Sequence, residues 1–132
     1  MSEKILVVDD EKAYMELMVK HLTKRGYEVF GTIDPQEALK VFKEEGGFVV
    51  IVTDWMMPGM TGNELIIAAQ EIDPTIQAIV ITAYGEGIQT PTNIPGWGNF
   101  KHLDKPLYNI SDLSHAVSYA IEFRQRLYPN KN

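Results

Sequence analysis

The sequence contains no cysteine. That excludes a disulfide framework, a thiolate metal site and a cysteine nucleophile, and it fits a reducing cytoplasm. No apolar run approaches the roughly 18 residues of a membrane-spanning helix. The start, Met1-Ser2-Glu3-Lys4-Ile5, carries no signal-peptide pattern. Positive charge is scarce: 12 Lys and Arg stand against 18 Asp and Glu, a net charge of −6. Phosphate contacts need clustered Lys and Arg, so this balance argues against direct nucleic-acid binding. His21, His102 and His115 lack zinc-site spacing. The pairs Gly85-x-Gly87 and Gly96-x-Gly98 belong to no phosphate loop, since no Gly-x-x-x-x-Gly-Lys-Ser/Thr occurs.

What is present is one domain's worth of alternating apolar runs and amphipathic stretches. With 132 residues the chain can bury roughly two-thirds of its unfolded surface. Lys4-Ile5-Leu6-Val7-Val8 reads as a buried strand ending in Asp9-Asp10-Glu11. Ala13, Leu17, Met18 and Leu22 recur at helical spacing over Lys12 to Lys24, and Gly26 supplies the stop. Tyr27 to Gly31 is a second strand. Asp34 as N-cap, Pro35 at the first position and Glu37 placed to reach back predict the next helix, which Gly46-Gly47 ends. Phe48-Val49-Val50-Ile51-Val52, the most apolar run, predicts a central strand through Thr53, and Pro58, Gly59 and Gly62 the loop that leaves it. A helix over Asn63 to Ile72, a strand over Ile76 to Thr82 and a short strand over Phe100 to Leu103 follow. Ser111 is the expected cap of the last helix, whose apolar stripe runs Leu113, Ala116, Val117, Ala120, Ile121, Leu127. The domain spans 1–128, with 129–132 a disordered tail.

Strands alternating with helices predict a parallel sheet covered on both faces. One crossover breaks the pattern. Residues 85–99 hold four glycines and two prolines, so the fourth helix is expected to be shortened or absent. In an open parallel sheet, ligands bind beyond the carboxyl ends of the strands. Asp9 and Asp10, Asp54, Thr82 and Lys105 fall at such ends. Carboxylates about 4 Å apart repel by several kcal/mol at an effective dielectric near 20, and a divalent cation removes that penalty. Oxygen-only ligation suits Mg²⁺ or Mn²⁺. A carboxylate beside such an ion, with an ammonium and a hydroxyl nearby, can attack a phosphoryl group.

Four motifs carry a family resemblance: Asp9-Asp10; Asp54-x-x-Met57-Pro58-x-Met60-x-Gly62; Thr82-Ala83; and Lys105-Pro106. In this order and spacing they resemble the receiver domains of two-component response regulators (CheY-like), from about Lys4 to Leu127. The resemblance implies a flavodoxin-like, doubly wound α/β fold with a five-stranded sheet ordered 2-1-3-4-5. It implies that Asp54 accepts a phosphoryl group from a sensor histidine kinase or a phosphotransfer protein. Asp10 and Asp54 would bind Mg²⁺ through side chains, Met56 through its backbone carbonyl, and Asp9 directly or through water. Lys105 would pair with the phosphoryl oxygens, and its bond to Pro106 would be cis. Thr82 would be the switch. Its usual aromatic partner is replaced here by His102, with Phe100 or Trp97 as stand-ins. Met56 and Tyr84 would flank the phosphoryl group and restrict attacking water, giving a long-lived phosphoryl form and slow autodephosphorylation. Output and homodimerisation in the family most often use the fourth-helix, fifth-strand, fifth-helix face. This places the chain in the cytoplasm, with no membrane partner.

Two other readings use the same residues. A receiver-like module could bind protein without phosphate, through its unusual fourth segment. A phosphohydrolase using Asp54 as nucleophile would need a second carboxylate two residues later, where Met56 stands. Because Trp55 follows Asp54 directly, Mg²⁺ is expected to change its fluorescence; a silent titration would speak against a metal at this strand end.

Overall fold

The computed structural model describes residues 2–83, 100–107 and 109–130, with backbone alone at 100 and 101. The sequence-level expectation for 85–99 lies outside the described residues. Five parallel strands, β1 (Lys4–Val8), β2 (Glu28–Thr32), β3 (Phe48–Thr53), β4 (Gln77–Thr82) and β5 (Phe100–Asp104), form one sheet in the order β2-β1-β3-β4-β5. Among the described residues four helices accompany them: α1 (Lys12–Lys24), α2 (Pro35–Glu45), α3 (Gly62–Ile72) and α4 (Ser111–Leu127). The α/β class and strand order are those expected. Among the described residues, no helix is long and apolar enough to cross a membrane.

The unbroken apolar runs have a simple cause. A strand covered on both faces needs apolar side chains in both directions. Ile5 and Val7 of β1 pack with Met18 and Leu22 of α1 and with Leu113 and Val117 of α4. Leu6 and Val8, pointing the other way, meet Phe42 of α2 and Leu65 of α3. All six residues of β3 and of β4 are buried. The β1–β3 register shifts between Lys4 and Ile5, so Lys4 pairs with Phe48 and Ile5 with Val50; no periodicity in the sequence announces that irregularity.

Several local expectations are corrected. On α1, Leu17 is exposed, and the inward stripe is Met15, Met18, Val19 and Leu22. Asp34 caps α2 by accepting from the Gln36 N–H at 2.9 Å. Glu37, however, does not reach back to Asp34; its Oε1 accepts from the Thr32 hydroxyl. A reciprocal capping box occurs instead on α3, between Thr61 and Glu64. Ser111 is the first helical residue of α4 rather than its cap, and Asn109 Oδ1 accepts the Ser111 N–H at 3.0 Å. Leu127 is exposed, while Arg124 on the same helix is buried and donates to Thr75 Oγ1 at 3.2 Å.

The loop from β3 to α3 is folded tightly back. The Gly62 N–H donates to the Trp55 carbonyl at 2.8 Å. A Cβ on Gly62 would stand 2.3 Å from the Asp54 carbonyl oxygen and 3.1 Å from Trp55 Cα. Backbone atoms cannot yield cheaply, so only glycine permits this closure. Gly62→Ala is therefore expected to destabilise the fold by roughly 1–3 kcal/mol, read from the urea midpoint. An unchanged midpoint would show that the loop closes without the close approach.

Candidate functional site

Each polar candidate is the first residue past a strand, or close to it, because the buried strand has just ended there. Val8 pairs with Thr53, so Asp9 and Asp54 emerge side by side from β1 and β3. Their backbones stay in the ladder: the Asp54 N–H donates to the Val8 carbonyl at 3.0 Å, and the Asp9 N–H to the Thr32 carbonyl at 3.2 Å. Lys105 leaves β5, and its N–H donates to the Thr82 carbonyl at 3.0 Å. The strand β5 lies two strands from β3, a span of roughly 10 Å, which a long side chain is needed to bridge.

The Lys105 ammonium makes that span. Nζ lies 2.8 Å from Asp9 Oδ2, 3.0 Å from Asp54 Oδ2 and 2.7 Å from Glu11 Oε1. Asp9 is fully buried, and the side chains of Asp54 and Lys105 nearly so. Asp54 Oδ1 is held from its own loop by the N–H groups of Trp55 at 2.6 Å and Met56 at 3.3 Å. Asp9 Oδ1 accepts the Glu11 N–H at 2.9 Å. Glu11 is the N-cap of α1 but makes no capping bond with its side chain, because its carboxylate is turned to Lys105. Below the ammonium lies the Tyr14 ring, 4.5 Å from Nζ to centroid.

The charges set the chemistry. Three carboxylates meet one ammonium, leaving a formal excess of two negative charges. Ligand oxygens of Asp9, Glu11 and Asp54 all lie within 4.8 Å of one another. Burial pushes the Asp9 carboxyl above the usual carboxylate range, and Lys105 offsets only part of that push. Burial also works against charge on Lys105, but the hydrogen bonds it donates to Asp9, Glu11 and Asp54 outweigh that and hold the ammonium above the usual lysine range. The lysine therefore stays charged across the physiological range.

A model of the response regulator receiver domain family matches residues 5–118. The chain belongs to that family. This receiver domain is similar to sporulation initiation phosphotransferase F of Bacillus subtilis (strain 168), with 34% identity over 119 residues that span 89% of this chain and 92% of that protein. A response regulator receiver domain protein from Clostridium thermocellum superposes with a TM-score of 0.83 at 30% identity, covering 95% of this chain and 98% of that one. The response regulator TrrA from Thermotoga maritima, solved in complex with Mg²⁺-BeF, gives 0.74 at 29% identity, over 89% and 98% of the two chains.

The structure brings Asp9, Asp54 and Lys105 together. Asp10 is exposed and stands outside the acidic cluster, where Glu11 takes a place the sequence reading did not give it. Asp9 is fully buried just past the end of β1, whereas Asp10, one residue further on, is exposed. Met56 is exposed at the rim. Thr82 is buried at the end of β4. The register pairs Val80 with His102 and Thr82 with Asp104, so Thr82 and His102 share a sheet face. His102 is half-buried, with Nε2 3.2 Å from Asp104 Oδ1. The Lys105–Pro106 bond is cis, as the family resemblance implies. Tyr84 and Trp97 lie outside the described residues. Tyr14 was not legible as a site residue: it stands on α1, 91 positions before Lys105, and no motif links them.

Removing the ammonium leaves buried carboxylates unpaired. Lys105→Met is expected to cost about 3 kcal/mol at pH 7.5, the lower end of the range for a broken buried pair because the cluster opens to solvent at Glu11. The sign with pH follows from Asp9. Its raised pKa means that ionised Asp9 opposes folding, so acidification relieves the penalty. In the variant that relief grows, and the loss should shrink at pH 5. In the wild type, the Lys105 contribution is present below the unfolded lysine value of about 10.4 and is lost as pH rises beyond it; the variant should lack that alkaline fall. Urea titrations across pH that run parallel for both proteins would contradict the pairing.

Proposed function

We propose that this receiver domain is a phosphorylation-controlled signalling switch. Asp54 accepts a phosphoryl group from a sensor histidine kinase or a phosphotransfer protein, with Mg²⁺ as cofactor and Mn²⁺ as a substitute. The observation that carries the reading is the Asp54 carboxylate at the end of β3, with its Oδ2 3.0 Å from a buried ammonium. Oδ1 is occupied by two backbone N–H groups, which leaves Oδ2 the oxygen with a lone pair for attack.

The donor set fits the metal. An excess of two negative charges on oxygen ligands suits a hard divalent cation that keeps some of its water. Asp54, Asp9 and the Met56 carbonyl would hold it. Asp10 would join from its exposed position by rotating inward, and Glu11 competes for the same charge. Mg²⁺ would supply charge neutralisation at the phosphoryl oxygens. The chain's own residues do the rest. A lone pair on Asp54 forms the new O–P bond as the P–N bond to the donor histidine breaks, and that electron pair returns to the imidazole nitrogen. The Lys105 ammonium then moves from Asp54 to the phosphoryl oxygens. The Thr82 hydroxyl donates to another of them, and His102, on the same sheet face, answers its movement. Met56, exposed at the rim of the site, limits the approach of water, so the acyl phosphate is long-lived. The chain is thus a phosphoacceptor with self-catalysed transfer rather than a turnover enzyme, working in the cytoplasm.

Intact-mass analysis after incubation with Mg²⁺ and a small acyl-phosphate donor is expected to show one phosphoryl adduct, absent in Asp54→Asn and persisting for minutes or longer. No adduct on the wild type would sink the reading and leave a phosphate-independent binding module. Decay within seconds would remove the role given to Met56, and rapid multiple turnover would favour a phosphohydrolase.

A further inference from the structure

We propose that Tyr14 is a positioning residue for Lys105, holding both the ammonium and the backbone that carries it. This rests on the phosphoacceptor reading above and adds to it a residue outside the four family motifs. Two contacts converge on this one side chain. The Lys105 Nζ stands over the Tyr14 ring, 4.5 Å from its centroid. The Tyr14 hydroxyl oxygen accepts the N–H of Leu107 at 3.0 Å, across a sequence separation of 93 residues. Between the two contacted residues lies Pro106, joined to Lys105 by the cis bond. Tyr14 therefore grips the loop leaving β5 on one side of the proline and the working side chain on the other.

The position follows from the fold. Tyr14 is in the first turn of α1, three residues past Glu11, so it rises beside the strand end that presents Asp9. The ring is half-buried and forms one wall of the site, while carboxylates form the others.

The ring does something the carboxylates cannot. Asp9, Asp54 and Glu11 hold the ammonium through directed ion pairs. During transfer the Lys105 ammonium must leave Asp54 Oδ2 for a phosphoryl oxygen, and a metal drawn to the same carboxylates weakens their hold on it. Attraction to a π face is broad and is not spent on either competitor. The ring thus keeps the ammonium over the site while its ionic partners change. The hydroxyl fixes the pivot from which the lysine reaches. Neither contact touches the reacting atoms, so Tyr14 acts through Lys105.

The test separates ring from hydroxyl. In the full chain with Mg²⁺ and a small acyl-phosphate donor, Tyr14→Leu should slow adduct formation at saturating donor by roughly 2- to 30-fold, the effect of one lost cation–π contact. The Mg²⁺ dissociation constant, read from Trp55 fluorescence, should change by less than about twofold, since no metal ligand is altered. Tyr14→Phe keeps the ring and should recover the greater part of the lost rate. A Tyr14→Leu rate equal to wild type, or Tyr14→Phe as slow as Tyr14→Leu, would overturn the role of the ring. A second readout does not depend on phosphorylation. The Lys105 Cε protons should show an upfield ring-current shift in wild type and Tyr14→Phe that vanishes in Tyr14→Leu; no such shift in wild type would overturn the contact itself. Should Tyr14→Leu not fold, Tyr14→Met carries the same expectations. If wild type forms no adduct at all, the phosphoacceptor reading fails, and the ring-current shift still decides whether Tyr14 holds the lysine.

Discussion

At the carboxyl edge of the sheet one ammonium, Lys105 Nζ, lies within 3.0 Å of three carboxylates. Asp9 and Asp54 would otherwise be two adjacent buried acids, an arrangement that costs several kcal/mol. The lysine makes them tolerable without neutralising them. It leaves an excess of negative charge that is stable enough to fold and still strong enough to attract a cation. That incomplete compensation is the feature on which the chemistry proposed for this receiver domain depends. A fully balanced cluster would be inert, and an unbalanced one would unfold the strand ends that hold it.

The fold exists, in this sense, to bring three distant segments to one point. Parallel strands all end on the same side, and the order β2-β1-β3-β4-β5 sets β1 beside β3 with β5 two strands away. The adjacent pair supplies short acids, and the remote strand supplies a long base. Gly62 closes the β3–α3 loop directly against the Asp54 carbonyl, and two loop N–H groups hold one carboxylate oxygen. The proposed nucleophile, Asp54, is therefore oriented by local backbone, and the Lys105 ammonium by long-range reach. The Tyr14 contact adds a fourth segment to the same point.

Much of this was legible in the sequence, for physical reasons. A β-branched run too apolar to be half-exposed had to be a buried strand, so the acid after Val52-Thr53 had to stand at its mouth. The same logic placed Asp9 and Lys105. What escaped was whatever depends on direction rather than position. Which of Asp9, Asp10 and Glu11 turns inward is decided by the path of the backbone past Val8, where the strand has ended, and by the length of the glutamate side chain. Glu37 was a plausible capping partner for Asp34, but the Thr32 hydroxyl competes for it and wins. Leu127 continues the α4 stripe on paper, yet the helix has by then run past the core, and Arg124 is the residue that the β4 entry loop covers. The Tyr14–Lys105 contact joins helix and loop across most of the chain, and no local spacing encodes it.

Asp54 and its acidic neighbours form one site whose charge Lys105 only partly balances. Carbon-13 NMR of the side-chain carboxyl carbons, followed during a Mg²⁺ titration of the whole chain, tests it most directly. The Asp9 and Asp54 signals are expected to shift together with a single midpoint, as one ion occupies the space between them. An Asp54 carboxyl carbon that stays fixed while Mg²⁺ saturates, or one that moves with a midpoint different from that of Asp9, would contradict it.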